Sequence, residues 1–485
     1  MADMTLLNEA ANITLSSKGS QTPGIDRVTR SIFEKNLQDE LTTIRCQLLN
    51  GTYKPSPVRR VYIPKANGKK RPLGIPTLRD RVVQRAMHMV MEPIWESDFH
   101  DKSYGFRPTR SVHNAVGTVR MQLTDPRTNR PAGRWVIEGD LSSYFDTVHH
   151  KLLMKAVRRR VRDRRILNLL WKFIKTGHID KGLFRAASEG VPQGGVISPL
   201  LSNIMLHEFD KWLEENYLNP VTKRAVRSWN KSVRLQKPIA IREKREQKSY
   251  YSYSRYADDF VIVVNGTRKQ AENFREICRE YLEGKLRLKL NMEKTLITHV
   301  NDGFDFLGHR IVRKRGGRGN MRPVTLIPQR KYRSLVEGLL KLFEEERQEP
   351  YELIKRLNHK LVGWSYFYKY TINTATIYRR IDHMVFWKFA KWLAKKYRKS
   401  VKQMMMRWYG YVPEAKSKAK TWKWSETDNR GRKRNVYLYR LVGSPKSRAQ
   451  RPILKVNPYM LNSEELKEQR FYVVTSKEVS HAFDD

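Results

Sequence analysis

The feature that most constrains this chain is Arg255-Tyr256-Ala257-Asp258-Asp259-Phe260, which runs on into Val261-Ile262-Val263-Val264. An aromatic stretch (Tyr250, Tyr251, Tyr253) precedes two adjacent carboxylates, and a purely apolar stretch follows them. Such runs on either side of a short polar step predict two strands joined by a tight turn, with the acids at the turn. Packing gives no reason to place two like charges there, because each carboxylate raises the cost of ionising the other. A divalent cation removes that cost, so the pattern points to a metal site at the tip of a hairpin.

A third acid fits the same picture. Trp135-Val136-Ile137 reads as a short strand that ends at Asp140, aimed outward from a sheet edge. Asp140 lies 118 positions before Asp258, so only the fold can bring them together. Three converging carboxylates are unstable without cations, and with two magnesium ions they form a nucleotidyl-transfer site. One ion would lower the pKa of a primer hydroxyl, and the other would bind triphosphate oxygens. An Asp-Asp pair alone is also common on solvated turns; the strand-terminal acid upstream adds weight.

The charge agrees. The net charge is +46 over 485 residues, and the cations are spread along the chain rather than confined to a tail. That balance implies a polyanionic partner, with nucleic acid the default over membrane surfaces. Hydrophobic residues make up 40%, enough for a sizeable core, so global disorder is excluded. Cys46 and Cys278 stand far apart, which rules out a disulfide framework and a Cys-x-x-Cys zinc site. The N-terminus has no secretory pattern, and no apolar run approaches a membrane span; a soluble, intracellular protein is expected.

Along the chain, residues 1 to about 50 read as helical. Strands follow from Tyr53 to Pro76, with Asn67-Gly68 as a hairpin signal, and then a helix from Arg79 to Trp95. Ser142 and Ser143 are read as caps of a helix continuing through Leu152 and Leu153. Another helix enters through Pro199 and runs to Leu213. Pro220–Lys248 holds ten Lys/Arg against two acids and reads as an inserted basic loop, either a solvated excursion or a nucleic-acid contact. Three helices are expected at roughly 329–348, 350–370 and 374–398, and short strand-like runs with basic loops from 411 onward.

These motifs form an ordered set. Arg71-Pro72-Leu73-Gly74-Ile75-Pro76-Thr77, Ser103-Tyr104-Gly105-Phe106-Arg107-Pro108, Gly139-Asp140-Leu141-Ser142-Ser143-Tyr144-Phe145-Asp146, Val191-Pro192-Gln193-Gly194-Gly195-Val196-Ile197-Ser198-Pro199, Tyr256-Ala257-Asp258-Asp259 and Phe306-Leu307-Gly308 resemble the series of bacterial group II intron reverse transcriptases. The likeness covers about residues 20–410. It implies an α+β right-hand polymerase: N-terminal extension and fingers at 1–130, palm at 131–324 with the basic insertion near 220–248, a helical thumb or maturase domain at 325–410, and a basic, DNA-binding-like C-terminal domain at 411–485.

The resemblance implies RNA-templated DNA synthesis with two Mg²⁺ ions and dNTP substrates. Asp140, Asp258 and Asp259 would be catalytic, with Leu141 joining them at the metal site. Lys65, Arg71, Phe145 and Gln193 would contact the dNTP, Phe145 excluding a 2′-hydroxyl. Phe306, Leu307 and Gly308 would position the primer. Each has a plainer reading too: surface charge for Lys65 and Arg71, a core aromatic for Phe145, a simple turn for Gln193-Gly194, an ordinary hairpin for Phe306–Gly308.

Arg107 is a candidate for template or phosphate contact, and Arg158, Arg159 and Arg160, in a run denser than a solvated face needs, for phosphate contact. The implied partners are the parent group II intron RNA, whose splicing it would assist, an RNA template with DNA primer, and target DNA. No membrane and no zinc are expected. Location would be the bacterial cytoplasm, at the nucleoid when DNA-bound. Intron mobility would proceed by target-primed reverse transcription. No Cys occurs after residue 410 and the only His there is His481, so the zinc-bearing nuclease of many relatives is not expected. A splicing-only RNA-binding maturase and a domesticated reverse transcriptase in host defence or repair remain the alternatives.

Overall fold

The computed structural model describes residues 1–64, 68, 70–124, 133–180, 183–186, 189–218, 251–316, 319–345, 348–372, 374–412, 420–427, 431–444 and 457–460. The Asn67 position of the fingers turn and the Pro220–Lys248 insertion therefore lie outside the described residues. The chain forms two compact units. Among the described residues the first comprises 1–122, 133–299 and 457–460, and the second 123–124 and 300–444.

The first unit opens with helices Met4–Ser16, Arg30–Lys35 and Leu37–Leu49, as expected from the N-terminal pattern. β1 (Val58–Pro64) and β2 (Lys70–Ile75) then pair antiparallel. The Leu78–Glu96 helix follows, capped by Thr77, whose hydroxyl accepts from the Asp80 amide. Its apolar side buries Val82, Val83, Ala86 and Met87 in the core.

Two sheets of four strands organise this unit. β3 (Trp135–Gly139) lies at the heart of one. β4 (His178–Asp180) and β5 (Leu183–Arg185) extend the β1–β2 pair, giving the order β2-β1-β4-β5. β6 (Tyr251–Tyr256), β7 (Asp259–Val264) and β8 (Leu296–His299) join β3 in the order β6-β7-β3-β8. In the second sheet every pair is antiparallel, and Gly139 stands opposite Phe260. A Cβ on Gly139 would run into the Phe260 ring, so the residue before Asp140 must be glycine. Val136, Ile137 and Phe260–Val264 are buried; Ile137, Phe260, Ile262 and Val264 share the core with Phe209 and Phe274 of the Ser198–Leu213 and Arg268–Leu286 helices.

One local expectation is corrected. The helix after Ser143 is not continuous: it spans Tyr144–Thr147, stops, and restarts at His150–Val157. The backbone of Gly190 and Val191 donates to the carbonyls of Val148 (2.9 Å) and Phe145 (2.7 Å), which a continuous helix would use itself. The His149 ring then caps the second piece through the Leu152 amide. Ser143 holds a left-handed conformation and makes no cap.

The second unit begins with β9 (Phe304–Phe306), β10 (His309–Arg315) and β11 (Met321–Leu326). Helices Gln329–Leu340, Pro350–Phe367, Thr374–Tyr397 and Val401–Trp408 bury Leu339, Leu357, Leu361, Ile381, Phe389 and Leu393 in one core. The first of these stops short of the expected 348 and gives way to a turn of 3₁₀ helix at Lys341–Phe343. A small sheet of β12 (Tyr409–Tyr411), β13 (Lys420–Thr427) and β14 (Lys433–Tyr437) follows, with Trp422 in the same core.

Candidate active site

The hairpin forms where the sequence places it. β6 and β7 pair from Tyr251–Val264 to Tyr256–Asp259, leaving Ala257 and Asp258 as a two-residue turn. Ala257 adopts φ +56°, a conformation that a non-glycine residue holds only when its surroundings enforce it. The enforcement is visible. Arg255 is fully buried; its guanidinium donates to the Ala257 carbonyl (2.9 Å) and to Asn203 Oδ1 (3.0 Å), and clamps Asp210 through two bonds of 2.8 and 2.5 Å. Tyr253 donates to the same Asp210 carboxylate at 2.6 Å. Asn203 in turn donates to the Gly105 carbonyl (2.8 Å), and the Tyr104 amide donates to the Arg255 carbonyl (2.9 Å). The Ser103–Pro108 motif thus buttresses the turn.

Asp140 arrives from the neighbouring strand. Because Gly139 faces Phe260 in an antiparallel pair, Asp140 leaves β3 at the end where Asp259 enters β7. Its carbonyl accepts from the Asn291 amide at 2.9 Å. Its carboxylate accepts from Lys294 Nζ at 3.0 Å and from Asn291 Nδ2 at 3.3 Å. Leu141 is buried and bridges to Leu290, so only its carbonyl oxygen could serve an ion.

The charges feel one another. Burial raises the pKa of Asp258, the Asp140 charge raises it further, and Arg71 and Arg255 oppose the rise. Asp259 stays exposed, yet the protein packed around it, then the Asp258 and Asp140 charges, push its pKa up to about 6, with the Lys294 ammonium pulling the other way. The donor set is all oxygen, the kind that suits magnesium. Among the described residues no three His, Cys, Asp or Glu side chains are already gathered to grip an ion. The Lys294 ammonium, 3.0 Å from the Asp140 carboxylate, supplies positive charge there, as Arg71 and Arg255 do for Asp258. The residues fit a divalent ion that would draw them inward.

Around the acids, Arg71 is exposed on β2, with its charge favouring ionised Asp258. Lys65 lies outside the described residues. Phe145 is half-buried and meets the Tyr144 ring edge-on, with centroids 5.4 Å apart. Gln193 donates to Asp146 Oδ2 at 3.3 Å, and its carbonyl accepts from the Gly74 amide at 2.6 Å. Gly194, at φ +111°, leaves no room for a Cβ against the Gly74 carbonyl. The Pro192–Gly195 loop is therefore stitched to β2, beside Arg71.

Arg107 is a correction. It is buried, with its guanidinium spent on Glu96 (2.9–3.1 Å) and the carbonyls of His100 and Ser103. A buried cation with all three guanidinium nitrogens engaged inside the protein is not presented to a phosphate. Arg158, Arg159 and Arg160 are exposed; Arg159 pairs with Glu208 at 2.7 Å and Arg160 with Asp98. Both arginine side chains stay in solvent beside these partners, unlike that of Arg107.

In the second unit, Leu307 and Gly308 form the two-residue turn between β9 and β10, at φ +47° and +77°. Tyr368 donates to the Gly308 carbonyl at 3.0 Å. Phe306 is buried, so the turn presents Leu307 and Gly308 and withholds the Phe306 side chain.

Sequence reasoning missed Arg255, Asp210, Asn203, Asn291 and Lys294. A charge in line with Tyr253 on an otherwise apolar strand face was a signal for Arg255. Its partner, 45 residues earlier, was not findable without the fold.

Comparisons with known proteins now bear on this geometry. Residues 63–311 match the family model "Reverse transcriptase (RNA-dependent DNA polymerase)", and residues 333–410 match "Group II intron, maturase-specific domain". Protein YkfC of Escherichia coli (strain K12) is 62% identical over 341 residues, covering 70% of this chain and 89% of YkfC. The group II intron-encoded protein LtrA of Lactococcus lactis subsp. cremoris is 33% identical over 380 residues, 72% of this chain but 61% of LtrA. The chain thus spans less than two thirds of LtrA's length. A telomerase structure from Candida albicans aligns with a TM-score of 0.40 at 11% identity, over 75% of this chain and 64% of that one, too loosely to bear on the assignment. The chain belongs to the reverse transcriptases that carry a group II intron maturase-specific domain, and is an RNA-directed DNA polymerase by family.

Proposed function

We propose that Asp140, Asp258 and Asp259 bind two magnesium ions and catalyse dNTP addition to a DNA primer on an RNA template. The chain also binds its parent group II intron RNA to assist splicing, and carries the intron into target DNA by target-primed reverse transcription. The division into fingers, palm, thumb and basic C-terminal domain at 1–130, 131–324, 325–410 and 411–485 belongs to this reading, as does action at the nucleoid. The observation that carries it is the β3–β7 register, which brings a distant acid to the end of the sheet where the Asp-Asp turn begins.

Magnesium bound there would lower the pKa of the primer 3′-hydroxyl and offset charge on the leaving pyrophosphate. The protein's share is placement. Arg71 holds the triphosphate, a job Lys65 would share. Phe145 lies under the sugar, and Gln193 sits beside the base pair with its backbone fixed by Gly74. Leu307 and Gly308 position the primer through their turn.

Primer extension on an RNA template with Mg²⁺ tests the reading. Asp258→Asn lowers the rate by roughly a thousandfold, the loss of several kcal/mol of charge stabilisation. Equal rates in the variant and the parent would end the metal assignment. Splicing of the parent intron RNA, assayed with the same variant, survives, because the two activities use different surfaces.

A further inference from the structure

The second unit carries a surface that the polymerase site does not use. The Thr374–Tyr397 helix has one acid in 24 residues, Asp382. That carboxylate accepts from the amides of Leu441 and Val442 at 2.9 and 3.0 Å and so is occupied. The solvent side holds Arg380, His383, Trp387 and Lys391, all exposed, at spacings of three, four and four. Those spacings stack them in a single stripe roughly 16 Å long. Lys388 and Lys395 flank it.

The contrast with the neighbouring helix is informative. On Pro350–Phe367 two cations meet acids, Lys355 with Glu352 and Arg356 with Glu345; on Thr374–Tyr397 Lys396, in the last turn, meets Glu349. Among the described residues no acid pairs with Arg380, Lys388 or Lys391. Surface cations left without acids over three turns raise the local potential and favour a polyanion.

Trp387 distinguishes this stripe from a plain basic patch. It is 41% exposed in the middle of the cations. Its ring is braced edge-on by Phe386 (5.2 Å, 89°), which itself packs on the buried Trp422 (5.5 Å). The His383 ring stands beside it at 6.3 Å. A rigidly held indole among cations is a stacking platform for an unpaired base, with phosphates on either side.

We propose that the Arg380–His383–Trp387–Lys391 stripe binds structured RNA at a point where one base is unstacked, with the base on Trp387 and the flanking phosphates on Arg380 and Lys391. This rests on the RNA-binding reading above and names the surface that serves it.

Fluorescence anisotropy with the full chain tests it, using two labelled RNA hairpins, one with a single bulged adenosine and one fully paired, across a salt series. Trp387→Ala weakens binding of the bulged hairpin about tenfold, in line with 1–3 kcal/mol per stacked base, and leaves the paired hairpin nearly unchanged. The double variant Arg380→Gln/Lys391→Gln weakens both hairpins and lowers the slope of log K against log salt by about one to two. Trp387→Phe, which keeps an aromatic face, retains most of the bulge preference, and thermal melts of each variant report folding.

Wild-type affinities and slopes in all variants would overturn the proposal. Losses confined to the cation variant would also overturn it, leaving a phosphate patch with no base contact. A parent protein that binds neither hairpin better than single-stranded DNA would fail the RNA reading itself, an outcome distinct from a failure of this face alone.

Discussion

At the scale of single residues, the site is a problem of charge. Asp259 is pushed up to about 6 because protein crowds its still-exposed side chain and two carboxylates stand nearby. A raised carboxylate pKa means that the folded chain holds the proton longer than the unfolded chain. The associated stability is present below about pH 4 and is lost as the pH rises through 6. Asp259→Asn removes that penalty, so in EDTA at pH 7.5 the variant melts higher than the parent while losing the gain in melting temperature that Mg²⁺ gives the parent. A lower melt for the variant in EDTA would contradict the repulsion. Ion binding competes with the same proton. At limiting Mg²⁺ the extension rate falls as pH drops below about 6, and raising Mg²⁺ moves that fall to lower pH. Beside the acids, Phe145→Val opens space under the sugar and raises ribonucleotide incorporation, measured as the rNTP-to-dNTP ratio of kcat/KM; an unchanged ratio removes Phe145 from sugar selection.

At the scale of elements, the turn that carries Asp258 is held from behind. The Arg255–Asp210 pair is fully buried, and one guanidinium nitrogen reaches the Ala257 carbonyl. Arg255→Met leaves Asp210 buried without its counter-ion, costing about 3–5 kcal/mol in chemical denaturation. Adding Asp210→Leu recovers much of that, because an apolar pair of similar volume tolerates burial. Extension activity does not return with stability, since the guanidinium bond to the Ala257 carbonyl is not restored. Recovery of both together would make the pair a stability device alone. The same logic of backbone capture breaks the helix after Asp140: Gly190 and Val191 take the Val148 and Phe145 carbonyls, which fixes the Phe145 backbone directly.

At the scale of the whole molecule, +46 charges govern association. If six to ten phosphates are contacted, affinity for a primer–template falls by roughly 10³–10⁵ between 50 and 200 mM salt. A shallow response would contradict a broad phosphate-contacting surface. Among the described residues no helix is long and apolar enough to cross a membrane.

The sequence by itself determined what depends on local order. Apolar runs around an acidic step specify the β6–β7 hairpin, periodic Leu and aromatic positions specify the helices between 329 and 397, and the motif order specifies the family. Residues whose role depends on a distant partner were not legible. Arg107 looked like a free cation and is locked onto Glu96; Arg255 looked incidental and holds the Ala257–Asp258 turn from behind while clamping Asp210; Lys294 carried no mark and reaches Asp140. Only the tertiary structure decided these, because a charged side chain's task is set by what lies within a few ångströms of it, and chain order carries no record of that neighbour.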